Sequence, residues 1–300
     1  MVLDENIINA VASKLGLSKR DIIAHPLKTE VLVADATQKI LIYTKNDKQP
    51  KMFVLVSSAK TPLAVKSAYD KLGVLAKKIG ERLAKNLLIP LEIGESNGLT
   101  YSISAYHRPL YKTFIAKQMD LWRIRQLLIN WVIDVAAITK KPATTDEIND
   151  SFKKPLLALS LASGLKQEYK SVALQAIEAI NQNNWQPCFV CAHNDLWLGN
   201  VLSSHETEFL LIDWDGAMLK GYAFYDLMRV VSSLKTSKSG FKYAFQQYCN
   251  VMGCNSKDAQ YYLISAFAYL YSDLGGWQYD RFLLLLDDCM LRLSKFVSSN

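Results

Sequence analysis

The order of patterns along the chain predicts an α+β fold of two lobes, an antiparallel sheet with one main helix in front and a mainly helical body behind. Three observations carry this. Between 29 and 57 the chain breaks into short β-rich pieces, "TEVLVAD", "KILIYTK" and "KMFVLVS", with the turn-rich "NDKQP" between the last two. Asn97-Gly98 then sits between two further strand-like stretches, and both residues tolerate the positive φ of a two-residue hairpin turn. From Asp120 onward helical periodicity dominates, beginning with "DLWRIRQLLINWVIDVAAITK". The lobes are therefore placed at 1–105 and 120–300, joined by a connector at 106–119.

Each element has its own signal. A helix is expected over about 64–86, because Val65, Ala68, Tyr69, Leu72, Leu75, Ala76, Ile79 and Leu83 recur at spacings of three and four and Pro90 follows. Asp120 is a good N-cap residue for the next helix, and another helix spans about 166–182. Short strands follow at "CFVCA", "NVLSS" and "FLLID". Helices return from about 223, including "YDLMRVVSSL", "FKYAFQQYCNVM" and "RFLLLLDDCMLRLSKF". There is no internal repeat.

Composition narrows the class. The 300 residues are 50% hydrophobic and 21% charged, enough to bury a sizeable core. Five scattered Cys and a start without a basic, then apolar, leader point to free thiols in a reducing, cytoplasmic setting. The longest apolar run, "YYLISAFAYLY" at 261–271, is far short of the roughly 18 residues of a spanning helix and reads as a buried one. Lys and Arg exceed Asp and Glu by 35 to 28, which suits an anionic partner. Nucleic acid is not expected, since zinc-finger spacing, an aromatic-rich single-strand signature and a basic block are all missing.

The chemistry concentrates in "CAHNDLWLGN" at 191–200 and "FLLIDWDGAMLKGYAFYDL" at 209–227. Polar residues at strand ends can be plain turn formers, but here His193, Asp195, Asn200 and Asp213 stand in a fixed pattern around two apolar strands. That pattern resembles the catalytic segment of the aminoglycoside phosphotransferase and choline kinase-like superfamily, which has a protein kinase-like fold. There a His-x-Asp-x-x-x-x-Asn loop precedes an apolar strand ending in Ile-Asp-Trp. The resemblance implies an ATP- and Mg²⁺-dependent phosphotransferase acting on a hydroxyl of a small molecule, such as a sugar, an aminoalcohol or a surface-polysaccharide precursor.

Residue roles follow from the resemblance and from the chemistry. Phosphoryl transfer needs in-line positioning and charge neutralisation more than covalent help, and Mg²⁺ takes hard oxygen ligands. Asn200 and Asp213 would hold the metal, Asp195 would accept or orient the acceptor's proton, and His193 would position the loop. Asp226 would brace the following helix through backbone hydrogen bonds, and Asp215 could touch a second metal.

The front lobe departs from the family. The first hairpin, "EVLVADATQKILIY", lacks glycine, Val56 stands where relatives show a strand Lys, and the helix position of the partner Glu falls near Ala68. Lys60 is the candidate replacement for the nucleotide phosphates, with Asp70 the nearest helix acid. The basic residues Lys66, Lys71, Lys77, Lys78, Arg82 and Lys85 form an exposed helix surface, partly compensate for the weakened nucleotide site, or make a peripheral membrane contact. These losses keep a second function open, that of a binding or regulatory pseudokinase.

Smaller signals remain. Cys188 and Cys191 form a C-x-x-C without a second pair of fitting spacing, and read as buried structural thiols. Trp197 either stacks on a substrate or packs on the back lobe. The resemblance implies that the segment Tyr106-His107-Arg108 lines the adenine pocket with backbone groups, while His25 and His205 read as surface residues. Acceptor selectivity is expected from the helical half, where "DLGGWQYD" offers Trp277 and Tyr279 for a sugar or a quaternary ammonium.

Overall fold

The structure is a computed structural model that describes residues 3–27, 37–110, 114–204, 206–274 and 278–297. Its front lobe begins with helix α1 (Glu5–Leu15), capped by Asp4 and closed by Gly16 in the left-handed conformation. Strands β1 (Ile22–Pro26), β2 (Gln38–Thr44) and β3 (Met52–Val56) follow, then helices α2 (Ala64–Ile79) and α3 (Glu81–Ala84), then β4 (Glu92–Ser96) and β5 (Leu99–Ala105). The five strands form one antiparallel sheet in the order β1-β2-β3-β5-β4. Asn97 (φ 51°) and Gly98 (φ 74°) make the expected turn between β4 and β5.

Strand alternation gives this sheet two faces. Ile40, Ile42, Met52, Val54, Val56, Tyr101 and Ile103 lie on one face and form a small core with Ile7 and Val11 of α1. Lys39, Leu41, Phe53 and Leu55 lie on the other, all partly exposed. Helix α2 belongs elsewhere: Leu72, Leu75 and Ile79 enter the large core of the back lobe. Only the start of α2 is tied to the sheet by polar bonds, the Val65 N–H donating to Ser57 Oγ (3.1 Å), which also bonds Thr100 Oγ1 (2.8 Å).

Beyond β5, Pro109 bridges Leu202 and the Ser203 N–H donates to the Arg108 carbonyl, so the connector pairs with the back lobe. Helix α4 (Phe114–Thr139) leads to β6 (Lys141–Pro142), α5 (Thr145–Glu147), a π-helical turn over 148–153, and α6 (Lys154–Ser160). Helix α7 (Gln167–Asn181) precedes β7 (Cys188–Ala192), β8 (Val201–Ser203), β9 (Phe209–Leu211) and β10 (Met218–Tyr222). Four helices complete the chain: α8 (Tyr225–Ser233), α9 (Lys238–Met252), α10 (Ser256–Ser272) and α11 (Tyr279–Val297). Strand β7 is wholly buried between β6 and β10. β8 and β9 pair as a separate antiparallel hairpin.

Several expectations need correcting. The single helix over 64–86 is broken at Gly80, whose φ of 75° stops α2 before α3 begins. Asp120 does not cap a helix but lies inside α4, which starts at Phe114. There its buried carboxylate takes both guanidinium nitrogens of Arg108, at 3.0 and 3.2 Å. The expected strand "TEVLVAD" (29–35) lies wholly outside the described residues; the strand that pairs with β2 is β1, earlier in the chain. The basic helix side is not a uniform face either, since Lys66 pairs with Asp70 (2.6 Å), Arg82 with Asp134 (2.9 Å), and Lys71 reaches the back lobe. Among the described residues no helix is long and apolar enough to cross a membrane.

Replacing Arg108 by Ala would leave the Asp120 carboxylate buried and unpaired. A loss of about 2 kcal/mol in urea-unfolding free energy is expected. A second test concerns Glu147, which closes a capping box with Thr144 and receives Lys220 of β10 at 2.5 Å. Lys220, then the Thr144 N–H, hold its carboxyl down at about 2. Its contribution is therefore full above the ordinary carboxylate range and fades as pH falls toward 2. The stability difference between wild type and Glu147→Gln should shrink over that window in pH-dependent urea unfolding.

Candidate active site

Three backbone segments build the site. The first leaves β7 as His193-Asn194-Asp195, the second is the β8–β9 hairpin, and the third is the start of α8. Asp226, in the first turn of α8, accepts the N–H of His193 at 2.6 Å and of Asn194 at 2.9 Å, and so locks the first segment to the third. This carboxylate is buried. Burial pushes its carboxyl up, opposed by His193, by the two N–H donors and by Arg229.

His193 is buried with its ring against Trp214, the centroids 4.3 Å apart. Nδ1 accepts the Asp195 N–H at 3.4 Å, so the proton sits on Nε2, which donates to the Ile212 carbonyl at 2.9 Å. The imidazole thus ties the loop after β7 to the end of β9. Both ring nitrogens are occupied by backbone.

The hairpin supplies the next link. Val201 is paired with Leu211, and the Ile212 N–H donates to the Asn200 carbonyl at 3.1 Å, which places Asp213 one residue beyond Asn200's partner. The Asn200 carboxamide nitrogen donates to the Asp195 carbonyl (2.8 Å) and to Asp195 Oδ2 (3.0 Å). Its oxygen accepts no hydrogen bond from the described residues. With the amide end fastened, that oxygen is left for a cation. Asp213, with its side chain about one-third exposed, holds φ at 67°. Together with Asn194 (φ 63°), Glu208 (φ 70°) and Phe224 (φ 69°), it is one of four non-glycine residues in the left-handed region in or next to the three segments. Such backbone strain concentrates where geometry serves a function.

Two cationic side chains that sequence reasoning did not assign to the site enter it. Arg229 of α8 donates to Asp195 Oδ1 at 2.9 Å, while its Nε finds no hydrogen-bond partner among the described residues. Lys39 of β2 places Nζ 3.4 Å from Asp213 Oδ2. A guanidinium set into the apolar run "YDLMRVVSSL" was the available signal for Arg229. Lys39 had none, because its reach depends on which face of β2 meets the cleft. Asp215 stands beside these groups: surrounding protein and the Asp213 charge push its carboxyl up, and Lys39 and Lys71 oppose that.

The remaining candidates fall as follows. Lys60 lies exposed in the turn after β3, and Asp70 pairs with Lys66. Trp197, half exposed, lies over Gly199, where a Cβ would stand 2.4 Å from its ring. Cys188 and Cys191 are buried free thiols. Tyr279 packs on Phe282 and donates to the Ser163 carbonyl at 2.6 Å, an ordinary interhelical role. His25 is an exposed residue edge-on to Tyr43, whereas His205 and Trp277 lie outside the described residues.

Among the described residues no three His, Cys, Asp or Glu side chains gather as a metal cluster. The donors at hand are a carboxylate, Asp213, and a carboxamide oxygen, Asn200, with Asp215 next in line. These hard oxygens fit Mg²⁺ shared with phosphate and water.

Asp226→Asn turns one of two acceptor oxygens into a donor facing a backbone N–H. It should cost about 2–4 kcal/mol in thermal or urea unfolding. Asp226→Ala, which opens a void as well, should be no better tolerated.

Comparison with known proteins agrees with this geometry. The sequence model described as "Phosphotransferase enzyme family" matches residues 120–252. No curated protein matches the chain at a significant level. Among solved structures, a thermostable aminoglycoside phosphotransferase APH(4)-Ia, in a ternary complex with AMP-PNP and hygromycin B, is similar with a TM-score of 0.60 and 15% identity, covering 97% of this chain and 98% of that one. Choline kinase LicA from Streptococcus pneumoniae is similar at 0.52 and 14%, covering 97% and 99%. Spectinomycin phosphotransferase APH(9)-Ia, solved with ADP and spectinomycin, is similar at 0.52 and 13%, covering 97% and 98%. The chain thus has the two-lobed kinase-like fold of aminoglycoside phosphotransferases and choline kinases, and its segment from 120 to 252 carries the pattern of the phosphotransferase enzyme family.

Proposed function

We propose that the protein transfers the γ-phosphoryl group of ATP to a hydroxyl of a small molecule. One observation carries this reading above the others: Asn200 is hydrogen-bonded at once to Asp195 and, through its backbone, to the residue before Asp213. Three oxygen-bearing side chains that sequence reasoning could only align are thereby joined by two short links.

Asp195 is the group that meets the acceptor. Arg229 and Asn200 each hold one of its oxygens, so the carboxylate is fixed in orientation. A carboxylate so held can orient a hydroxyl that donates to it. That suits phosphoryl transfer, whose loose transition state asks for an oriented hydroxyl more than for early proton removal. His193 and Asp226 keep this loop in register from behind. Mg²⁺, held by Asp213 and Asn200, would neutralise phosphate charge. The partly exposed apolar residues Leu41 and Phe53 on the cleft side of the sheet offer a surface for a flat base, and Lys60 remains a candidate for the nucleotide's phosphates.

The acceptor is a hydroxylated small molecule, with a sugar, an aminoalcohol and a polysaccharide precursor as the classes to screen. Five free cysteines, four of them buried, fit a reducing, ATP-containing compartment, and a cytoplasmic setting is part of the proposal.

The experiment is a phosphoryl-transfer screen over these classes, with nucleotide binding followed in parallel by thermal shift. Asp195→Asn should lower turnover at least 100-fold and leave nucleotide binding intact. Asp213→Asn should abolish the Mg²⁺-dependent part of the thermal shift. Nucleotide binding that ignores both Mg²⁺ and Asp213→Asn, with no transfer to any acceptor, would instead identify a binding or regulatory pseudokinase.

A further inference from the structure

The front lobe shows how the missing strand lysine is replaced. Residues directly opposite each other in an antiparallel pair share a face of the sheet, with Cβ atoms about 5 Å apart. Lys39 is opposite Leu55, and Lys39 faces the cleft because its Nζ lies 3.4 Å from Asp213. Leu55 is therefore the cleft-facing residue at that end of β3. Val56, where the sequence comparison had looked for the lysine, points the other way, into the core under α1. Lys39 thus holds the spot beside the vacant β3 position, delivered from the neighbouring strand.

We propose that Lys39 is the cation that binds the nucleotide's phosphates, with Lys71 of α2 as a second positive charge at the same edge; this deepens the phosphotransferase reading and rests on it. Lys71 Nζ donates to the Asp215 carbonyl at 3.1 Å, so α2 brings a lysine to the metal loop where the family's helix would bring a glutamate. The usual lysine–glutamate pair spends one charge on holding the other. Here Lys39 is held by Asp213 itself, in a pair whose side chains are 38% and 36% exposed. An ion pair that open contributes little, because water screens both charges. Exchange of Asp213 for a phosphate oxygen therefore costs the lysine little, and Asp213 is released toward a cation in the same move. The sequence between β1 and β2 contains no glycine, so side-chain charge has more to supply.

The test measures MgATP and adenosine binding by calorimetry on the full chain. Lys39→Met should weaken MgATP at least 10-fold while adenosine binding stays within 2-fold. Lys39→Arg should stay within about 3-fold of wild type, and Lys60→Met should cost less than Lys39→Met. Adding Leu55→Lys to Lys39→Met should restore most of the MgATP affinity, because it moves the ammonium across to the paired strand. Lys71→Met should cost less than Lys39→Met. Unchanged MgATP affinity in Lys39→Met, with loss in Lys60→Met, would overturn the assignment and leave the phosphotransferase reading standing. Failure of wild type to bind MgATP at all would overturn both.

Discussion

Everything at the site hangs on the register of a hairpin with three residues per strand. Val201 opposite Leu211, continued by the Ile212 N–H on the Asn200 carbonyl, makes Asn200 and Asp213 neighbours although thirteen positions separate them. A slip of one residue would turn the side chains of β8 and β9 to the wrong faces. Both strands are held against that slip. Their inward residues are buried, the Asn86 carboxamide donates to the Phe209 carbonyl at 2.9 Å, and the Arg108 carbonyl accepts from Ser203. The hairpin is thus clamped by the front lobe's last helical turn on one side and by the connector on the other.

Charge is arranged in matched pairs around that frame. Arg229 meets Asp195, Lys39 meets Asp213, and Asp226 is answered by two backbone donors. The first pair is half sheltered and rigid, the second is open and exchangeable, and the third is buried. This gradient runs from support to reactive surface, and it separates the residues that set geometry from those free to change partner.

Much of this was legible in the sequence, and the gaps have physical causes. Long periodic helices, the Asn-Gly turn and the Asp195-to-Asn200 spacing are local patterns, so they could be read without coordinates. Helix α1, with its Asp4 cap and Gly16 stop, was equally local and was passed over because it precedes the strands that drew attention. β10 was hidden because its pairing with β7 is irregular and depends on Gly221, where a Cβ would stand 2.5 Å from the Ala192 side chain. Asp120 misled because a good capping residue inside a helix can serve instead as a buried partner for a distant Arg. Lys39 and Arg229 were out of reach for a different reason: their roles come from cross-strand and cross-helix proximity, over separations of 174 and 34 residues.

The two separate cores have a mechanical meaning. The sheet and α1 share one, while α2 sinks its apolar stripe into the other and touches the sheet mainly through Ser57 and Thr100 at its start. The molecule's natural parting line therefore runs between sheet and helix rather than around the whole front lobe. Tilting the sheet along that seam would carry one lysine away from the aspartates and leave the other in place, so that the grip on an anionic guest loosens one finger at a time.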